Sequence, residues 1–267
     1  MPDGNSRVYV FRSPGGGDGA ENPFGRLKWI LGIIAALYLF HLWQIGPASF
    51  IRTLIQYSIL IPVILVSLTV HEYAHARMAD FLGDPTPRHL GRLSLDPRRH
   101  LDFLGALMLF FAGFGWAKPV PVNPEYFRNP SRAMMSVSLA GPGSNLIMAL
   151  LGGGLMRLFM ELQGMLHFHE TATLIAVIFC EQFIKINLGL AIFNMLPVPP
   201  LDGSKVLNHF LSPAQKFKFR SIEEIGNLLL MLLLMFGVIG WILIPIVEKG
   251  NFYILKLFGL AWMFHLQ

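Results

Sequence analysis

Charge is what this chain has least of. Only 14% of its 267 residues are Asp, Glu, Lys or Arg, against roughly 25% in an ordinary soluble domain. Hydrophobic residues make up 54% and the mean hydropathy is +0.53, which excludes a soluble globule in favour of a polytopic membrane protein. Cysteine is nearly absent: Cys180 stands alone. That excludes an intrachain disulfide and a multi-cysteine metal site, and the thiol reads as a small apolar filler. The N-terminus lacks an apolar core near residue 10 followed by a small-residue cleavage site, so no cleaved secretory signal is expected. A formal net charge of +5 would suit nucleic acid, but the basic residues are distributed by membrane sidedness and that reading falls away.

What is present is a series of long apolar runs. Residues 1–26 are rich in Gly, Pro and polar groups and read as a flexible cytoplasmic tail. Residues 27–267 read as one transmembrane domain, all-α and polytopic. A bilayer core of about 30 Å takes about 20 helical residues, and the runs predict six spans, at about 27–46, 53–82, 133–160, 171–196, 222–247 and 251–266. Between the second and third, residues 84–131 hold Pro85, Pro87, Pro97, Pro119, Pro121, Pro124 and Pro130, too many for a helix. Within them FLGALMLFFAGFGWAKPVPVNP reads as extended, partly embedded backbone, a β-hairpin or re-entrant region. Such backbone survives at membrane depth only under cover of protein or beside a water-filled cavity. Lys and Arg number four up to Lys28, eight from Arg77 to Arg132 and four over 201–222, while Arg52, Arg157 and Lys249 stand alone in the alternate connections. Basic residues mark cytoplasmic loops, so the N-terminus is expected inside and the second span is expected to run inward.

The end of that second span carries His71-Glu72-Tyr73-Ala74-His75. On a helix, residues i and i+4 share one face, and two imidazoles so placed can hold one Zn²⁺. The intervening glutamate is then positioned to take a proton from an attacking water. A charged group at a helix centre costs about 2.5–3.5 kcal/mol on insertion scales and is functional by default. The competing reading ends the span at Val70 and makes the motif a wet interfacial helix, although Ala74, Ala76, Met78, Ala79, Phe81 and Leu82 continue the apolar pattern.

Two histidines leave a catalytic zinc site one protein ligand short. The extended motif HExxHxxGxxH fails, with Met78 and Phe81 at the glycine and third histidine positions. His89 and His100, in a basic loop with Asp96 and Asp102, are expected to be solvated; His209 follows a polar segment; His41, His167, His169 and His265 sit at membrane edges. Asp202 remains, closing FNMLPVPPLDG (193–203). Pro197, Pro199 and Pro200 are expected to unwind the helix and present Asp202 from extended backbone, with Gly203 allowing a sharp exit. An ordinary helix-ending turn, with Asp202 capping the next segment, competes with this. The charge count favours the ligand reading, because it brings His75 and Asp202 to the same membrane side at similar depth.

HEYAHA in one span, AGPGSN in the next and FNMLPVPPLDG after it together resemble the site-2 protease family of intramembrane zinc metallopeptidases, over roughly residues 50–215. The resemblance implies that His71, His75 and Asp202 bind one zinc ion per chain and that Glu72 is the general base. It also implies that Asn145 and Asn194 lie near the site as substrate or oxyanion donors, although Asn145 also suits a small-residue packing face. The GFGWAKPVPVNP segment looks like the family's membrane-associated β-hairpin region, where Gly113, Phe114 and Gly115 would dock an unwound substrate strand. An ordered amphipathic loop is the alternative. No stretch has the length for an inserted PDZ domain or a nucleotide-binding (CBS) domain, so a minimal form is expected. Its partners would be a transmembrane protein substrate and the lipid bilayer, not nucleic acid, with the active site near the cytoplasmic face of the cell membrane. A non-proteolytic metal carrier or pseudoprotease is the other reading, but a transporter should show broken helices in both halves of a pseudo-repeat. Glu181 and Lys185, four apart, are expected to form an ion pair.

Overall fold

The structure, a computed structural model, describes residues 32, 36, 47–105, 115, 117–166 and 169–266. The expected tail at 1–26 and nearly all of the expected first span at 27–46 lie outside them. The chain divides into two compact units, Met1–Phe50 and Ile51–Gln267, and the functional groups all belong to the second.

In hydrocarbon, every backbone N–H and C=O must be paired within its own segment, so long apolar runs become helices. Here they are α1 (Pro47–Phe81), α2 (Pro130–Leu166), α3 (Glu170–Asn194), α4 (Asp202–Phe210), α5 (Pro213–Met235) and α6 (Val238–Leu257). α1, α2 and α5 open on proline, whose missing N–H has no helical partner to lose in a first turn. Ser212 and Gln215 cap α5 reciprocally,. Among the described residues, four helices are long and apolar enough to cross a membrane: Thr53–Phe81, Pro130–Met165, Glu170–Asn194 and Val238–Leu257. The polytopic helical class read from composition therefore holds.

The C-terminal boundaries differ from those expected. In place of spans at 222–247 and 251–266, the helix breaks at Gly237, in the left-handed region at φ 69°, and Ala261–Leu266 forms a short 3₁₀ helix. A one-residue left-handed stop leaves no trace in hydropathy, which is why the apolar run conceals it. Nor does a sheet form among the described residues. Of the expected hairpin region, they show one antiparallel bridge, Leu101 to Ala117, and short turns at Thr86–His89, Pro97–Arg99 and Pro124–Tyr126. Gly113 and Phe114 lie outside the described residues, and Gly115 is exposed.

The packing inverts that of a soluble protein. Trp241, Phe236 and Leu257 point outward, 81%, 77% and 69% exposed, while Ser67, Asn145, Asn187 and Asn251 are buried. That is the distribution expected of helices solvated by lipid, which associate through small and polar side chains. α2 and α3 pack along each other, and α6 closes on both around Ala149, Met156, Ile184, Leu188 and Leu255. Gly153 permits the close approach of α6: a β-carbon there would sit 2.6 Å from Ile254 and Phe258.

Two buried polar residues tie the described parts of the connection between α1 and α2 to one another. Asp84 accepts from the backbone N–H groups of Thr86 and Asn123, at 2.9 and 2.8 Å. Arg92 donates to the carbonyls of Arg99, Lys118 at 2.8 Å and Pro119 at 2.5 Å. Burial pulls the Arg92 guanidinium below its ordinary pKa, and the charge of Glu72 pushes the other way. These contacts hold the Lys118–Val122 backbone against the site.

Candidate metal centre

α1 delivers His71 and His75 one turn apart on the face that meets α2 and α3. Gly141 of α2 lies directly against them: a β-carbon there would strike His75 Nε2 and come within 2.6 Å of His71 Cε1. The two rings meet edge to face, their planes 85° apart. Asp202 arrives from the other side as the first residue of α4, after the Met195–Leu201 turn with its cis Pro199–Pro200 bond. The expectation of extended backbone at Asp202 is corrected here: the extended residue is Leu201 (φ −64°, ψ 157°), and Asp202 begins a helix. Gly203 serves close approach, since a β-carbon would fall on the Met195 carbonyl.

Three ligand atoms converge. His71 Nε2 and His75 Nε2 are 3.0 Å apart, and Asp202 Oδ2 is 3.3 and 3.1 Å from them. In a tetrahedron with bonds of about 2.0–2.1 Å to zinc, ligand atoms lie about 3.3–3.4 Å from one another, so the triangle has the right size. Among the described residues this is the group of His and carboxylate side chains that could hold a metal ion. All three are buried, with 4%, 8% and 7% exposure for His71, His75 and Asp202.

The outer hydrogen bonds decide what these atoms are. His75 Nδ1 lies 2.7 Å from the Val137 carbonyl, which can only accept, so Nδ1 carries a proton. His71 Nδ1 lies 2.5 Å from Asn145 Oδ1. The Asn145 amide nitrogen spends both hydrogens elsewhere, on the Ser67 carbonyl at 3.2 Å and Asn187 Oδ1 at 2.8 Å, which orients its oxygen toward His71. Asn187 in turn donates to Ser67 Oγ and the Phe183 carbonyl, each at 2.8 Å. Both neutral imidazoles therefore turn an Nε2 lone pair toward a carboxylate. Three acceptors facing one point need a cation, supplied by a metal or by extra protons on the rings. Where ring protons supply that cation, burial of Asp202 still opposes its ionisation, but the hydrogen bonds from His71 and His75 and the charges of His75 and Lys205 outweigh it and hold the carboxyl well below the usual range.

Beside the cluster is a cavity of about 290 Å³, whose lining includes Glu72, Ser138, Asn194, Lys205, Pro119, Val120 and Val122. Asn194 spends one amide hydrogen on the Leu190 carbonyl at 3.0 Å and keeps another. Asn145 does not line this cavity; it stands behind His71, with no hydrogen left for a substrate. His89 is exposed as expected, but His100 is not solvated: it is 1% exposed and its Nε2 meets the Ser94 carbonyl at 2.7 Å. Its connection folds back on itself, which a run of Arg and Pro does not reveal. His209 pairs with Ser131 at 3.0 Å, away from the cluster.

Ser138 and Arg92 were not legible as site residues. Ser138 is 1% exposed, its hydroxyl has no partner, and it faces the cavity. One signal was available: Pro142, four residues on, removes the N–H that would engage the Ser138 carbonyl in a regular helix.

The model of Peptidase family M50 matches residues 152–237, a stretch that includes Asp202. YwhC of Bacillus subtilis (strain 168), provisionally named a zinc metalloprotease, is 40% identical over 200 residues, 75% of this chain and 90% of that protein. Rip2 of Mycobacterium tuberculosis (strain H37Rv), provisionally named in the same way, is 32% identical over 191 residues, 67% of this chain and 70% of Rip2. Rip2 of Mycolicibacterium smegmatis is 30% identical over 198 residues, 70% of this chain and 71% of that protein. No solved structure matches.

Proposed function

Because the chain belongs to peptidase family M50, the site-2 type of zinc metalloprotease, we propose that it hydrolyses a peptide bond within or near a transmembrane segment of another membrane protein. The observation that carries this reading is the convergence of three buried acceptors, His71, His75 and Asp202, at one wall of a cavity that also holds a carboxylate. His71, His75 and Asp202 would hold the zinc. When bound, the ion supplies Lewis acidity toward a carbonyl and makes water acidic enough to react at neutral pH.

The chain's own groups do the rest. Glu72, buried at 8% exposure, takes the proton of the attacking water and passes it to the departing amide nitrogen. Ser138 Oγ and the remaining Asn194 N–H offer hydrogen bonds to the substrate carbonyl as negative charge develops on it. Asn145 and Val137 keep each imidazole in the tautomer that presents Nε2. The Lys118–Val122 backbone, held by Arg92, forms the wall along which an extended segment would lie.

A helix with its side chains is about 10–12 Å across and hides each carbonyl in an i to i−4 bond. The cavity suits a strand better than a helix, so the substrate segment unwinds before cleavage, and partners for its freed backbone come from β-addition at the Lys118–Val122 wall. The distribution of Lys and Arg supports an N-terminus in the cytoplasm and an active site near the cytoplasmic face.

The test uses purified wild type and Glu72→Gln with model transmembrane substrates. Wild type is expected to cleave, and Glu72→Gln to keep its zinc and cleave nothing. Cleavage surviving in Glu72→Gln would overturn the assigned chemistry.

A further inference from the structure

Next to the catalytic cavity lies a second one, of about 260 Å³, that has no part in the chemistry described above. Its polar wall is formed by Lys205, Lys216, His209, Ser131 and Asn208, and no carboxylate lines it. Lys216 is half-buried and makes no ion pair among the described residues. His209 Nδ1 pairs with the Ser131 hydroxyl at 3.0 Å, and Nε2 has no hydrogen bond among the described residues. Lys205 leans toward Asp202 Oδ1 at 3.6 Å, beyond a good hydrogen bond, which leaves donors for another acceptor. Two ammonium groups, the one donor left over from the Ser131–His209 pair and the Asn208 carboxamide, whose oxygen is an unpartnered acceptor, surround one small space, and the two cations set its sign and make it an anion site.

Position identifies the anion. Met134 and Lys205 line both cavities, so the second is the continuation of the first past a shared wall. A chain held across the metal centre in extended form, advancing about 3.3 Å per residue, passes from one into the other. A lipid phosphate would gain nothing from that continuity. We propose that the second cavity is a specificity pocket for an Asp or Glu side chain of the substrate, a few residues to one side of the scissile bond. This rests on the proteolytic reading above and adds to it a substrate feature: an acidic residue flanking the cleavage site.

The test is a charge exchange. A model transmembrane substrate is made as a set in which Glu or Lys is placed in turn at each position flanking the scissile bond, and each member is cleaved in detergent and in vesicles with and without anionic lipid. At one or two adjacent positions on one flank, wild type is expected to cleave the Glu form about fivefold faster than the Lys form, the size of one partly exposed ion pair. Lys216→Glu, which lies outside the catalytic group, is expected to keep full zinc and reverse that preference. Lys216→Gln is expected to abolish it, and serves if the reversed charge does not fold. Cleavage of every member at equal rate overturns the inference and leaves the proteolytic reading intact, as does a preference unchanged in both variants. An effect of Lys216 that appears only with anionic lipid, equally for both substrate forms, assigns the pocket to lipid and overturns it as well. Failure of zinc-loaded wild type to cleave any member sinks the proteolytic reading, and this inference with it.

Discussion

Two groups of ionisable side chains sit among the apolar helices, and they are built on opposite plans. Between α3 and α6, Lys185 Nζ lies 2.9 Å from Glu181 and 3.0 Å from Glu248, so the cation is part of the chain. At the proposed metal centre the ammonium of Lys205 stands 3.6 Å off, on the far oxygen of Asp202, and the three inward atoms are all acceptors. In the first group one ammonium lies between two carboxylates, so each charged group faces an opposite charge and the cluster joins α3 to α6. In the second no cation lies between the inward atoms, and from that gap comes its chemistry. Among polar clusters inside a membrane, the informative property is therefore what the surrounding hydrogen bonds leave unanswered, rather than the number of charges gathered.

The largest effect is expected at Glu72. Glu72→Gln should abolish detectable cleavage, a loss of at least about 10²–10⁴-fold, at unchanged zinc content, with kcat and zinc stoichiometry measured on the same sample. Asp202→Asn comes next: with one ligand neutralised, zinc should be lost to a chelator that wild type resists, and full retention would remove Asp202 from the ligand set. Asn145→Ala should weaken zinc binding by about 10–100-fold, the usual cost of losing the group that orients a ligating histidine, read by competition with a metal indicator. The smallest effect on zinc belongs to the other cluster. Lys185→Ala should lower stability in detergent by about 2–3 kcal/mol while leaving zinc affinity and the rate per folded molecule alone. Neutralising Glu248 as well should restore part of that stability. A change in zinc affinity in Lys185→Ala would mean that the two clusters are coupled, and the contrast between them would collapse.

How much of this was legible beforehand varies with the range of the interaction. The pairing of His71 with His75 follows from helix periodicity. The Glu181–Lys185 contact follows from the same rule, but Glu248, on a helix more than 60 positions later, does not. Asn145 was visible as a polar residue in an apolar span; its duty behind His71, and not in the cavity, depends on which way one amide points. His100 looked solvated because its neighbours are charged, yet the chain folds over it. Gly237 was invisible because a left-handed break needs one residue and no change of composition.

Short-range rules and composition thus settled what kind of molecule this is: a helical membrane chain, with two imidazoles and a glutamate on one helical face and a carboxylate to come. Those features depend on the solvent each segment requires and on a 3.6-residue period, and both are written locally. The tertiary structure alone brought Asp202 Oδ2 to within 3.3 Å of both imidazoles, set Gly141 beneath them, tied Arg92 to the cavity wall and left Ser138 without a partner. Each of these is a contact between residues far apart in the chain, specified by how whole helices pack and by no residue's own preference.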